Sequence, residues 1–144
     1  MSKVYLDSCM VIGLIEGDAK QRQILKTQCI NHTIYSSELV RMETRLLAVR
    51  NKDTKSLEMF ELFFIASEIV NLDRAVFERA TLLRAETNLK TPDALHLSAA
   101  IEAGCEEFWT NDKQLLATAG HYLKVMDWIA LDSCKSSFKD KDKT

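Results

Sequence analysis

Proline and glycine are scarce, one and four residues among 144. That excludes collagen-like, loop-dominated and low-complexity chains. Gly13 and Gly17 stand isolated, so no glycine-rich loop is present to cradle a phosphate. The four cysteines, Cys9, Cys29, Cys105 and Cys134, form no C-x-x-C pair, and no histidine stands at metal-finger spacing from them. They are expected to be reduced, small, mostly buried apolar residues. Neither charge sign dominates: 19 Lys and Arg face 21 Asp and Glu, a formal net charge of -2. A whole-surface basic footprint is therefore absent, and any contact with nucleic acid must use a local patch or a metal. Long apolar runs are missing too. The best, Met10 to Ile15, falls far short of the ~18 residues that span a membrane. The start of the chain, one early Lys and then a strand-like stretch holding an Asp, makes a poor export signal, so the cytoplasm is the expected compartment.

What is present suits one domain with one core: 47% hydrophobic and 28% charged residues. Short β-rich pieces alternate with helical periodicity. Strands are expected at 3–6, 33–35, 68–72, 107–110 and 123–126. Helices are expected at 8–15, capped by Ser8, at 19–30, from Ser36-Ser37 onward, at 54–66, 73–88, 91–103 and 112–118. The helix after Ser37 carries Leu39, Met42, Leu46 and Val49 as an apolar stripe, and the helix at 73–88 carries Val76, Ala80, Leu83 and Thr87 in register. Pro92 lies in the first turn of its helix, and Gly104 ends that helix. Strands separated by helices imply β-α crossovers and a mostly parallel sheet covered by helices. The one shift in composition is the end, KSSFKDKDKT at 135–144, a polar and charged tail expected to be disordered.

In an open parallel sheet, sites form beyond the carboxyl ends of the strands. Asp7 leaves the first strand there, and Thr110, Asn111 and Asp112 leave the fourth. Asp93 opens the helix at 91–103, and Glu43 lies inside the long helix. Each acid also has a plain explanation. Asp7 and Asp112 can cap helices, Asp93 can complement a helix dipole, and Glu43, near Arg41 and Arg45, can lie on a solvated face. Glu38 reads as an ordinary acid at a helix N-terminus.

Together, VYLDSCMVIGLI at 4–15, SSELVRMETRLLA at 36–48, LKTPDALHLSAA at 89–100 and FWTNDKQL at 108–115 resemble the four acidic motifs of PIN-domain proteins. They are most similar to VapC-type ribonuclease toxins of prokaryotic toxin–antitoxin pairs. The resemblance implies a three-layer α/β/α sandwich around a mostly parallel five-stranded sheet, with residues 1–132 as the nuclease domain and 133–144 as tail. It carries the family's catalytic and metal-binding acids onto Asp7, Glu43, Asp93 and Asp112, with Thr110, Asn111 and Ser8 in support. Mg²⁺ or Mn²⁺, as one or two ions, is the implied cofactor. Asp7 and Asp93 are the expected direct ligands; Glu43 and Asp112 are expected to act through water or on a second ion. The physical logic agrees: clustered carboxylates repel, and a hard divalent cation relieves that repulsion and admits a polyanion. The implied reaction is in-line phosphodiester hydrolysis of RNA, leaving a 5′-phosphate and a 3′-hydroxyl. Implied partners are a second copy of the chain and an antitoxin protein.

Arg41, Arg45, Lys90 and Lys113 lie near these motifs as candidate RNA contacts, or as ordinary surface charge; Arg45 can also pair with a resting carboxylate. His96, three residues after Asp93, reads either as a ligand or, the preferred view, as core packing. His32 and His121 are expected in turns, and Trp109 and Trp128 in the core or at a subunit contact. Leu57, Phe60, Leu62, Phe63 and Phe64 make a rich apolar face, either core or a groove for a partner peptide. Two other functions compete. A non-catalytic PIN-fold binding module has the intact acids against it. A phosphotransfer or phosphatase domain has against it the absence of D-x-D after the first strand.

Overall fold

Val4, Tyr5 and Leu6 are wholly buried, as a strand covered on both faces must be. They belong to β1 (Ser2–Leu6), the centre of the sheet in this computed structural model, which describes residues 1–134. Around it the chain runs α1 (Ser8–Glu16), α2 (Ala19–Ile30), β2 (His32–Ser37), α3 (Glu38–Arg50), α4 (Thr54–Ala66) and β3 (Glu68–Val70). It continues through α5 (Arg74–Glu86), α6 (Thr91–Glu102), β4 (Glu107–Trp109), α7 (Lys113–Ala119) and β5 (Lys124–Met126). A last helical stretch covers 128–134.

The five strands lie in the order β3-β2-β1-β4-β5, and every pairing is parallel. Val4 stands opposite Ile34 on one side and Glu107 on the other. The expected α/β architecture with a parallel five-stranded sheet is what the chain adopts. The register matters for function because β1 and β4 end side by side: Leu6 pairs with Trp109, and the Asp7 amide donates to the Trp109 carbonyl at 3.0 Å. Asp7 and Thr110 therefore leave the sheet together.

Side-chain caps start nearly every helix. Asp7, Asp18, Ser37, Asp53, Asp73 and Asp112 each accept an amide of the first turn, satisfying donors the helix itself cannot. Ser8, expected to cap α1, is instead its first residue, and Asp7 is the cap. Of Ser36 and Ser37 only Ser37 caps α3; Ser36 is buried in β2. α6 is the exception, with Lys90 giving no side-chain cap and Pro92 in the first turn. Gly104 ends α6 as expected, with φ +73°, a conformation glycine takes without strain.

Residues Ala94 to Ala100 of α6 are all buried. The small ones among them, Ala94, Ser98, Ala99 and Ala100, let α6 press against its neighbours, and the Ser98 hydroxyl donates to the Val76 carbonyl of α5. The core is filled by Trp109, Tyr5, Phe60, Phe108 and aliphatic neighbours, each large side chain contributing roughly 1.5–3 kcal/mol on burial. Trp109 is thus core, whereas Trp128 is half-buried against α1.

Several expectations need correction. Most of the stripe on α3 does not face the core: Leu39 is half-buried against it, but Met42, Leu46 and Val49 are 60%, 49% and 52% exposed. Val40, Thr44 and Ala48 are buried instead, smaller residues that allow close approach. α4 divides its apolar residues: Phe60 and Phe64 are core, Leu57 and Phe63 are half-buried, and Leu62 is exposed. His32 opens β2 rather than a turn, its ring edge-on to Trp109. Cys9 and Cys134 are exposed, although all four cysteines are free. The tail expected over 133–144 is helical at 133 and 134, and 135–144 lie outside the described residues. Among the described residues no helix is long and apolar enough to cross a membrane.

Candidate active site

The β1–β4 pairing builds the first half of the site. One oxygen of Asp7 accepts the Ser8 amide at 2.7 Å, and the other accepts the Thr110 hydroxyl at 2.8 Å. Thr110 is itself wholly buried and held by its own amide on the Met126 carbonyl at 3.1 Å. Its oxygen accepts the Asp112 amide at 3.1 Å. Asp112 then caps α7 through the Leu115 amide at 2.9 Å. Capping and site-building are therefore the same act for Asp7 and Asp112: each cap fixes a carboxylate beyond the carboxyl end of an interior strand.

α3 and α6 supply the other half. Glu43 does not lie on a freely solvated face. Its Oε1 accepts the Ser8 hydroxyl at 2.7 Å and His96 Nε2 at 2.5 Å. The same His96 nitrogen lies 3.8 Å from Asp7 Oδ1. Burial pushes the Glu43 carboxyl up, but the hydrogen bond and charge of His96 with the Ser8 hydroxyl outweigh it, so Glu43 titrates below the usual carboxylate range. Asp93 is half-buried at the start of α6 and has no hydrogen-bond partner among the described residues. Burial first, then the charges of Asp7, Asp112 and Glu43, raise its carboxyl above the usual range, against a smaller opposing effect of His96.

Asp7, Asp112 and Glu43 thus all act electrostatically on Asp93. Among the described residues, no group of three or more His, Cys, Asp or Glu is gathered tightly enough to hold an ion as it stands. The donor set nevertheless fits a hard divalent cation. It is made of carboxylate oxygens, and the acid without a partner is raised first by burial and then by the charges of its neighbours; a cation relieves the second part.

The supporting residues fall into place unevenly. Asn111 is exposed and its side-chain oxygen takes the Trp128 amide at 3.5 Å. Arg41 pairs with Glu61 at 3.0 Å and Glu38 at 3.9 Å. Arg45 is half-buried with no ion-pair partner among the described residues, and Lys90 and Lys113 are exposed beside Asp93 and Asp112. Two further residues belong to the site, of which only His96 had a signal in the sequence. Cys9 Sγ reaches Asp7 at 3.5 Å and accepts the Asn111 amide at 3.4 Å; burial and the Asp7 charge push its thiol up to about 11. His96 is buried, as the packing view required, yet both ring nitrogens are engaged. The D-x-x-H spacing was a signal, but its partner Glu43 comes from another helix.

The PIN domain family model matches residues 4–121. No curated protein matches. Among solved structures, a toxin–antitoxin complex from Klebsiella pneumoniae is similar at 25% identity and TM-score 0.65, covering 79% of this chain and 90% of that one. DNA-bound VapBC from Salmonella typhimurium is similar at 19% identity and TM-score 0.73, covering 89% and 99%. VapC20 of Mycobacterium tuberculosis, described as a sarcin-ricin loop cleaving toxin, shares 14% identity at TM-score 0.65, covering 79% and 93%.

Proposed function

Because this chain belongs to the PIN-domain family, we propose that it is a metal-dependent endoribonuclease and the toxin of a toxin–antitoxin pair. Four carboxylates, one just after β1, one in α3, one at the start of α6 and one capping α7, carry this conclusion, with the charges of three of them adding to the burial that raises Asp93. Asp7 and Asp93 hold the cation directly, and Glu43 and Asp112 do so through water or on a second ion. Mg²⁺ or Mn²⁺ supplies charge neutralisation and acidified water for attack on the phosphodiester. Thr110 fixes Asp7, and Ser8 helps fix Glu43. Lys90 and Lys113 flank the two acids at the helix starts and meet the phosphate backbone, with Arg45 as a further contact; Arg41, already paired twice, is the weakest of the four candidates.

Antitoxin binding and self-association need apolar surface, and two faces offer it. The exposed stripe of Met42, Leu46 and Val49 on α3 suits a second copy of the chain. The groove of Leu14, Ile30, Met59, Leu62 and Phe63, rimmed by Arg22 and Lys26, suits an antitoxin segment. The similar structures that are toxin–antitoxin complexes favour that partner. Both roles fit a protein working in the cytoplasm.

The test is cleavage of a structured RNA pool by purified protein with Mg²⁺, Mn²⁺ or chelator, beside Asp7→Asn and Asp93→Asn. Cleavage that requires metal and disappears in both folded variants is the expected result. Equal cleavage by all three proteins would identify a contaminant. No cleavage and no metal binding would leave the non-catalytic binding module.

A further inference from the structure

Core packing does not explain His96. The ring is 1% exposed, and a leucine of similar bulk would fill its place. Yet Nδ1 lies 2.8 Å from the Tyr5 hydroxyl and Nε2 lies 2.5 Å from Glu43 Oε1. Tyr5 is wholly buried in β1, with its ring stacked on Phe108 at 5.5 Å. Its hydroxyl also meets the Ser37 hydroxyl at 2.8 Å, and Ser37 accepts the Val40 amide at 3.3 Å as the cap of α3. The chain of bonds leaves α3 at its cap, crosses β1 and α6, and returns to α3 at Glu43. Six residues, about 9 Å of helix rise, separate the two ends. An apolar side chain in this place would take from the buried phenol one of its two partners, leaving Ser37, and would remove a donor from a carboxylate.

Glu43 receives both of its bonds, from Ser8 and His96, on Oε1. Oε2 has no hydrogen-bond partner among the described residues. Nε2 donates to Oε1 whether the ring is the Nε2–H tautomer or the imidazolium, so the arrangement does not depend on protonation. We propose that His96 is a positioning residue for Glu43: anchored through Tyr5 to the cap of α3, it occupies Oε1 and leaves Oε2 as the one oxygen Glu43 offers a divalent cation. The contact stands on geometry alone; the assignment of Oε2 rests on the metal-dependent function proposed above.

Two readouts on the full chain separate these parts. Proton NMR of the metal-free protein should show a downfield, slowly exchanging imidazole proton that is absent in His96→Gln and moved in Glu43→Gln. Its absence from wild type, or indifference to Glu43→Gln, overturns the contact. Calorimetry with Mn²⁺ should show His96→Leu weakened about 10–100-fold, the usual effect of removing a partner behind a metal ligand. His96→Gln, whose amide can still donate, should recover most of that loss, and Tyr5→Phe should fall between. Wild-type affinity in His96→Leu, or equal losses in the Leu and Gln variants, overturns the positioning role. If His96→Leu does not fold, Tyr5→Phe decides: a folded variant with unchanged Mn²⁺ affinity overturns the anchor. No Mn²⁺ binding by wild type overturns the metal site and the Oε2 assignment together, while the imidazole proton still decides the contact.

Discussion

Asp93 is the residue where the electrostatics of the site can be read without substrate. Its carboxyl is raised by burial and by Asp7, Asp112 and Glu43, so in the metal-free protein its ionised form costs stability. For a raised carboxyl that cost is fully present above the folded-state pKa and disappears as the pH falls through it. Asp93→Asn should therefore melt above wild type at neutral pH without metal, and thermal scans down to pH 4 should show the advantage shrinking. Added Mn²⁺ should reverse the order, because only wild type gains linkage stabilisation, about 2.7 kcal/mol at one hundred times Kd. The cysteines give a second check. Burial pushes Cys29 and Cys105 up to about 12, and burial with Asp7 pushes Cys9 up to about 11. Alkylation of native protein at pH 8, followed by peptide mass analysis, should mark exposed Cys134, spare Cys29 and Cys105, and mark Cys9 only slowly, because that residue is exposed but its raised thiol is short of the reactive thiolate. The acids were visible in the sequence because three of them stand at helix starts, beside a strand end or a proline. His96 was visible as a ligand beside Asp93 or as a packed ring, but not as the partner of Glu43, which stands 53 positions away, and no local spacing reports such a pair.

At the level of elements, capping residues and periodicity located the helices closely, and the strands came out within a few residues. The α3 stripe failed for a physical reason. Periodicity shows that one face is apolar, but not which face the sheet covers. Here close approach favours Val40, Thr44 and Ala48 and turns Glu43 toward Ser8. The junction of α1 with the stretch at 128–134 was not legible at all, and it offers a sharp test. A Cβ on Gly13 would meet Trp128 Cζ2 at 2.7 Å. Gly13→Ala should destabilise by about 1–3 kcal/mol, as overpacking does. In a Trp128→Ala background the same change should be neutral or stabilising, because alanine is the better helix former by roughly 0.5–1 kcal/mol. Chemical denaturation of the four proteins of that cycle reads the reversal of sign.

For the whole molecule, alternation of strands and helices implied a parallel sheet, while the order β3-β2-β1-β4-β5 emerged only in the fold. That order sets β1 beside β4 and makes Asp7 a neighbour of Thr110, more than a hundred residues on. Self-association is tested on α3: Met42→Glu with Leu46→Glu should leave folding nearly intact, since both are exposed, and should halve the mass measured by light scattering. An unchanged mass would remove this face as the contact between copies. The central claim is that the four acids form one hydrolytic site, and the chemistry of the cut ends tests it most directly. RNA cleaved in Mg²⁺ should carry 5′-phosphate and 3′-hydroxyl ends, with none formed by Asp93→Asn. Cyclic 2′,3′-phosphate ends, or the same ends from the variant, would contradict it.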